Sequence, residues 1–142
     1  MDLTTSYVFD AAHRIAGHPG KCAWLHGHTY HLEVTVSSPT LNPLGMVMDF
    51  DDLRDAVGKA VLDLWDHATL LAADDPLGPA IAAVQLEAPD RVVLLPGQPT
   101  AEILTREAWA RLEGRMPAGI TLERVSIRET PACGSAIARP RT

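Results

Sequence analysis

The distribution of apolar residues predicts an α+β domain, an antiparallel sheet with two helices packed on one face. Three observations carry this. Period-two alternation marks two strands near the N-terminus and another at residues 121–129. Spacing of three and four marks helices over residues 50–65 and from residue 100 onward. Strands and helices are also grouped rather than strictly alternating, which disfavours a parallel sheet of βαβ units.

In order along the chain, Leu3, Thr5, Tyr7 and Phe9 share one side of the first strand, while Thr4, Ser6 and Asp10 take the other and Val8 is the exception. Residues 13–27 hold Gly17, Pro19, Gly20 and Gly27, the composition of a long connection. From Tyr30 to Val36 apolar residues alternate with His31, Glu33 and Thr35, so one face packs and the other is polar. A turn-rich joint, Pro39 to Pro43, leads to a short strand predicted at Gly45-Met46-Val47-Met48. Asp49 then caps a helix from about Phe50 to Trp65, whose apolar positions are Phe50, Leu53, Val57, Ala60, Val61 and Leu64. The stretch from Ala68 to Pro99 reads as a short helix around 80–86 and a strand at 91–95. Thr100 caps the second long helix, Glu102 lies in its first turn, and Leu104, Ala108 and Leu112 form its buried stripe. In the last strand Glu123, Val125, Ile127 and Glu129 share parity, and the tail has room for one more strand.

The chain has 142 residues, 12 basic and 18 acidic, hence a formal charge of −6, and is read as one domain spanning residues 1–142. At 46% hydrophobic it is too apolar for disorder. Its few basic residues are scattered, which argues against a nucleic-acid partner and leaves room only for a local pocket for a small anion. Two cysteines, Cys22 and Cys133, cannot form a secreted disulfide framework, and the acidic start lacks the features of a signal peptide. The longest uncharged stretch, Val34 to Met48, is too short and too broken by Pro and Gly to span a bilayer. The expectation is a soluble cytoplasmic protein, without membrane contact, that binds a small molecule.

Three histidines form the first candidate site. In an extended segment residues two apart face the same way, so His26-Gly27-His28 can offer two imidazoles to one metal. His13 ends the first strand and joins them if the two strands pair as a hairpin. Three neutral imidazoles are a catalytic zinc set with one position open, whereas an isolated His-x-His is more often two surface histidines. Cys22, four residues before His26, is either a small buried hydrophobe or a thiol that serves as nucleophile, base or fourth ligand. Asp66-His67 is either a proton-transfer pair or a histidine favoured at a helix C-terminus. Glu129 is a solvated strand end or a bidentate acceptor for paired N–H donors. Capping accounts for most of Thr100 and Glu102.

Taken together, Phe9-Asp10-Ala11-Ala12-His13-Arg14, Cys22-Ala23-Trp24-Leu25-His26-Gly27-His28, Gly45-Met46-Val47-Met48-Asp49-Phe50, Asp66-His67, Pro99-Thr100-Ala101-Glu102 and Arg128-Glu129-Thr130 resemble the 6-pyruvoyltetrahydropterin synthase family. Within it, the cysteine three residues clear of His-Gly-His resembles the 6-carboxytetrahydropterin synthase branch. The resemblance implies a tunnelling fold, a four-stranded antiparallel sheet with two helices on one face. It further implies that subunits join into a barrel, commonly a hexamer of two trimers, with active sites between subunits. By the same resemblance His13, His26 and His28 hold Zn2+, Cys22, Asp66 and His67 move protons, Glu129 anchors a pterin ring, and Thr100 and Glu102 join the substrate contacts. Arg14 or Lys21 would serve a triphosphate. The implied reaction converts 7,8-dihydroneopterin triphosphate to 6-carboxytetrahydropterin, a step towards queuosine. The rivals are a pyruvoyl synthase, a dihydropterin side-chain lyase, and a non-catalytic zinc-stabilised protein with Cys22 as fourth ligand.

Overall fold

A computed structural model describes residues 1–140. Its centre is a long hairpin, β1 (Asp2–His13) against β2 (His26–Ser37), in a register that pairs Phe9 with Tyr30 and His13 with His26. Val8 lies 61% exposed, so the parity of β1 runs unbroken and its apolar side chain points to solvent. β2 pairs antiparallel with β5 (Thr121–Thr130), and β5 with β6 (Cys133–Ala138), the strand for which the tail had room. These four strands are the antiparallel sheet expected from the alternation.

The sheet does not stop there. β3 (Ala68–Ala72) and β4 (Val92–Leu95) add two parallel strands on the β1 side, giving the order β4-β3-β1-β2-β5-β6. β3 escaped pattern reading because Ala68, Leu70, Leu71 and Ala72 are all buried, which erases alternation. The expected strand at Gly45–Met48 is absent: Gly45 sits at φ 82, and Asn42 closes the segment into a turn by accepting from Leu44 and Met46 through its side chain.

Asp49 caps α1 (Phe50–Val57) by accepting from Asp51 N, as its position suggested. The helix continues through a π segment, Gly58–Leu62, into α2 (Asp63–Trp65). A π turn holds one residue more than an α turn, so the buried stripe slips from the expected Leu64, now 38% exposed, to Trp65 at 0%. Trp65 packs on Phe9, which in turn stacks on Tyr30 with ring centroids 5.0 Å apart. α4 (Ala101–Glu113) buries Leu104, Ala108 and Leu112 as its spacing predicted. The short helix read around residues 80–86 is α3 (Leu77–Val84), a third helix beside the two long ones: Gly78 lies against Leu71 and Leu94, on the face of β3–β4 opposite the main core.

Bulges adjust the faces of β5. The register shifts between Thr35 and Val36, so both Leu122 and Val125 are buried and Glu123 is left to accept from the Ser37 hydroxyl. A second shift follows Arg128, where β6 approaches so closely that a Cβ on Gly134 would stand 2.5 Å from Ile127 O and 2.8 Å from Arg128 Cα. Both are backbone atoms of β5, so Gly134→Ala should destabilise the protein by about 1–3 kcal/mol through overpacking, read as a lower urea midpoint. Gly114→Ala, whose Cβ would meet only Ala110 O at 3.9 Å, is the control.

Candidate metal centre and proton-transfer pair

Because His13 and His26 are register partners and His28 sits across from Ala11, all three imidazoles emerge on the core face at one end of the hairpin. Their ligand nitrogens lie within 4.8 Å of one another. Ring centroids are 4.6 Å apart for His13–His26, 5.1 Å for His13–His28 and 5.0 Å for His26–His28. Tyr30, fully buried, turns its ring edge-on to His13 and His28 and closes the site from below.

The hydrogen bonds fix the tautomers. His13 Nδ1 donates to Pro99 O at 2.8 Å and His26 Nδ1 to Trp24 O at 2.7 Å, since a carbonyl can only accept. Each Nε2 is then left with a lone pair, yet the two Nε2 atoms face each other at 3.1 Å. Two lone pairs at that distance repel unless a positive charge stands beside them, and a cation answers this need. Carbonyls behind ligating histidines are the usual orienting partners of a metal site. Burial supplies the second requirement, neutrality: it lowers the His13 pKa to about 4, against the raising effect of Pro99, and it lowers that of His28 as well. The trio therefore fits a divalent metal on the chemistry of its donors.

Cys22 lies in the connection between β1 and β2, half-buried, and its sulfur is not part of the three-nitrogen group. Glu129 Oε1 stands 4.0 Å from His13 Nε2. Burial, then the charge of Glu102, raises the Glu129 pKa, with His26 opposing. Thr100 is the cap of α4, accepting from Ile103 N at 3.4 Å. The Glu102 carboxyl is held below its usual range by its own backbone N–H and the Thr100 hydroxyl. The capping reading of both residues holds, and the helix start they form sits against the trio through Pro99.

Asp66 and His67 join α2 to β3, beside β1. His67 Nδ1 is 3.0 Å from Asp66 Oδ1, and that oxygen also accepts from Asp10 N at 2.9 Å. His67 adopts a left-handed backbone, φ 59, and its N–H donates to Asp10 O at 2.6 Å. Nδ1 thus faces a carboxylate, and Nε2, on an exposed ring, has no hydrogen-bond partner among the described residues. The Asp10 carboxylate, which groups with Asp66 and His67, accepts from the Thr29 hydroxyl at 2.5 Å. Thr29 neighbours His28 along β2, so the pair and the trio occupy opposite faces of the hairpin.

Several partners were not visible in the residue pattern. The Pro99 carbonyl, the Asp10 backbone and the Tyr30 ring carry no signal, since main-chain bonds and ring contacts depend on fold. Arg14 pairs with the buried Asp75 and is no free cation for a triphosphate, while Lys21 is exposed. His18 and His31 take the places their pattern suggested, a loop and the exposed sheet face.

An α+β fold whose mixed sheet gathers three imidazoles beside a carboxylate on one face, and an Asp–His pair on the other, defines a protein with the donors for a divalent metal and a paired acid–base group. The comparisons make the class particular. The sequence matches the 6-pyruvoyl tetrahydropterin synthase family over residues 2–140, and the chain belongs to that family, whose members are lyase-type enzymes. It is 35% identical over 138 residues to 6-carboxy-5,6,7,8-tetrahydropterin synthase of Rickettsia bellii, covering 94% of this chain and 96% of that one. It is 33% identical over 132 residues to the protein of the same name from Haemophilus influenzae, covering 91% and 92%. The fold is shared with an uncharacterised protein of Wolinella succinogenes, TM-score 0.84 at 21% identity, covering 99% of this chain and 98% of that one. It is shared also with 6-pyruvoyl tetrahydropterin synthase of Caenorhabditis elegans, TM-score 0.69 at 23% identity, covering 99% and 96%. Among the described residues no helix is long and apolar enough to cross a membrane.

Proposed function

We propose that this protein converts 7,8-dihydroneopterin triphosphate and one water to 6-carboxy-5,6,7,8-tetrahydropterin, with release of acetaldehyde and triphosphate, as a zinc-dependent lyase serving queuosine formation. The observation that carries the reading is the convergence of three imidazole nitrogens within 4.8 Å. The names of the curated relatives supply the branch.

In this reading His13, His26 and His28 hold Zn2+, which when bound supplies Lewis acidity at the substrate's side-chain oxygens. Glu129, half-buried beside the trio, receives paired N–H groups of the pterin ring, and Thr100 and Glu102, at the start of α4, add further substrate contacts with Glu102 near enough for its charge to act on Glu129. Cys22 takes a proton from a side-chain carbon whose acidity the site has raised. His67 delivers or removes the other proton through its exposed Nε2, with Asp66 orienting Nδ1.

His67 belongs to the face opposite its own chain's trio, so it serves the trio of another copy. We therefore extend the proposal to a homo-oligomer, a hexamer of two trimers, with active sites between subunits; unpaired sheet edges at β4 and β6 offer the surfaces for that assembly. The test is product analysis with 7,8-dihydroneopterin triphosphate and the purified zinc-loaded protein. Acetaldehyde release in step with substrate loss is expected. Retention of all three side-chain carbons in the pterin product would replace the carboxy reading by a pyruvoyl one.

A further inference from the structure

Cys22 must keep a set place beside the metal centre to act as proposed, yet it sits in the connection between β1 and β2, where regular structure is limited to one turn at Lys21–Ala23. Bonds at the start of this connection supply what the local sequence does not. Ile15 N donates to Cys22 O at 2.8 Å, which lays Cys22 beside a residue only two positions beyond His13. Ala16 N donates to Gln98 Oε1 at 2.9 Å, and Arg14 Nε donates to Asp75 Oδ2 at 2.8 Å, while the Arg14 Nη2 group pairs with Asp75 Oδ1. Residues 14, 15 and 16 are thus each held by a different partner.

Asp75 is itself anchored. Its side chain is 0% exposed, Leu77 N donates to Oδ1 at 2.9 Å, and its own N–H donates to Ala72 O at 3.0 Å, tying it to the end of β3. Stability alone is a weak reason to bury such a pair, because apolar side chains of similar volume serve a core as well or better. What a bidentate pair adds is direction: the fork fixes the plane and reach of the guanidinium. Gln98 stands one residue before Pro99, whose carbonyl orients His13. One stretch of chain, between the Asp66–His67 pair and α4, therefore grips both the His13 ligand and the loop that bears the thiol.

We propose that Asp75 and Gln98 are positioning residues that hold the Cys22 loop against the metal centre, Asp75 acting through Arg14 and Gln98 through Ala16 N. This rests on the catalytic reading of Cys22 given above. The test uses full-length protein carrying Cys133→Ser, so that Cys22 is the sole thiol, and compares Asp75→Asn and Gln98→Ala with that parent. Alkylation of Cys22 by iodoacetamide should quicken by about fivefold or more. In the zinc-loaded enzyme kcat should fall by about ten- to a hundredfold, the scale of an ångström's misplacement, with KM and zinc content unchanged. Gln98→Glu, which keeps an acceptor for Ala16 N, should restore both values. Unchanged alkylation and kcat beside a lowered melting temperature would reduce Asp75 and Gln98 to structural residues and overturn the proposal. If Asp75→Asn does not fold, Gln98→Ala and its rescue decide alone. Should the parent itself fail to turn over the pterin triphosphate, the functional reading falls, while the alkylation rates still report whether these residues hold the loop.

Discussion

His13→Ala is expected to leave a protein that retains no zinc after dialysis and turns over at least about a thousandfold more slowly, since metal Lewis acidity contributes several kcal/mol and each 1.36 kcal/mol is a factor of ten. His13 is the central imidazole of the trio: it is 1% exposed, its Nδ1 is bonded to Pro99 O, and its Nε2 meets that of His26 at 3.1 Å. Because alanine there also leaves a buried carbonyl unpaired, His28→Ala is the companion variant. His28 is only partly buried, so metal is lost with a smaller folding penalty. Zinc content by atomic emission, alongside circular dichroism, separates the two effects. Normal turnover by a metal-free His13→Ala protein would end the zinc reading.

The same residue sets a pH dependence. In the folded metal-free protein its pKa is about 4, lowered by burial, while in the unfolded chain it returns to the ordinary histidine value. As pH falls from about 6.5 to 4 the unfolded chain takes up the proton first, so stability is lost on acidification and is insensitive to this group above about 6.5. The loss amounts to on the order of 3 kcal/mol, at about 1.4 kcal/mol per pH unit. Urea midpoints of metal-free protein at pH 7.5, 6 and 5 should trace that slope, and His13→Ala should flatten it.

The second large effect concerns Cys22→Ala, which should keep its zinc and lose about 10²–10⁴-fold in kcat, the usual contribution of a positioned acid or base. The sulfur stands outside the three-nitrogen group, so removing it leaves the donors intact. If instead zinc leaves together with the thiol, Cys22 is a fourth ligand and the site is closed to substrate, the reading of a zinc-stabilised binding protein. Equal metal content and equal turnover would deny Cys22 either role.

Much of this architecture is legible in the residue order. Alternation located β1, β2 and β5, spacing located α1 and α4, and Asp49 and Thr100 cap where their positions said they would. The convergence of the three imidazoles was legible for the same reason: a period of two places His26 and His28 on one side, and a hairpin brings His13 to His26. β3 was not, because a strand buried on both faces has no polar partner residues to reveal its period. The slip from Leu64 to Trp65 was hidden as well, since a π turn changes the period locally without a mark in composition.

Local chemistry thus determined which residue types were available, which faces of the hairpin and helices they occupy, and that three imidazoles could meet. Tertiary structure alone decided what stands behind them: the Pro99 and Trp24 carbonyls that set the tautomers, the Asp75 carboxylate that claims Arg14, and the opposite-face placement of His67. The reason is that periodicity is a property of neighbours in sequence, whereas a hydrogen bond from residue 13 to residue 99, or from 14 to 75, exists only once the chain has brought distant segments together.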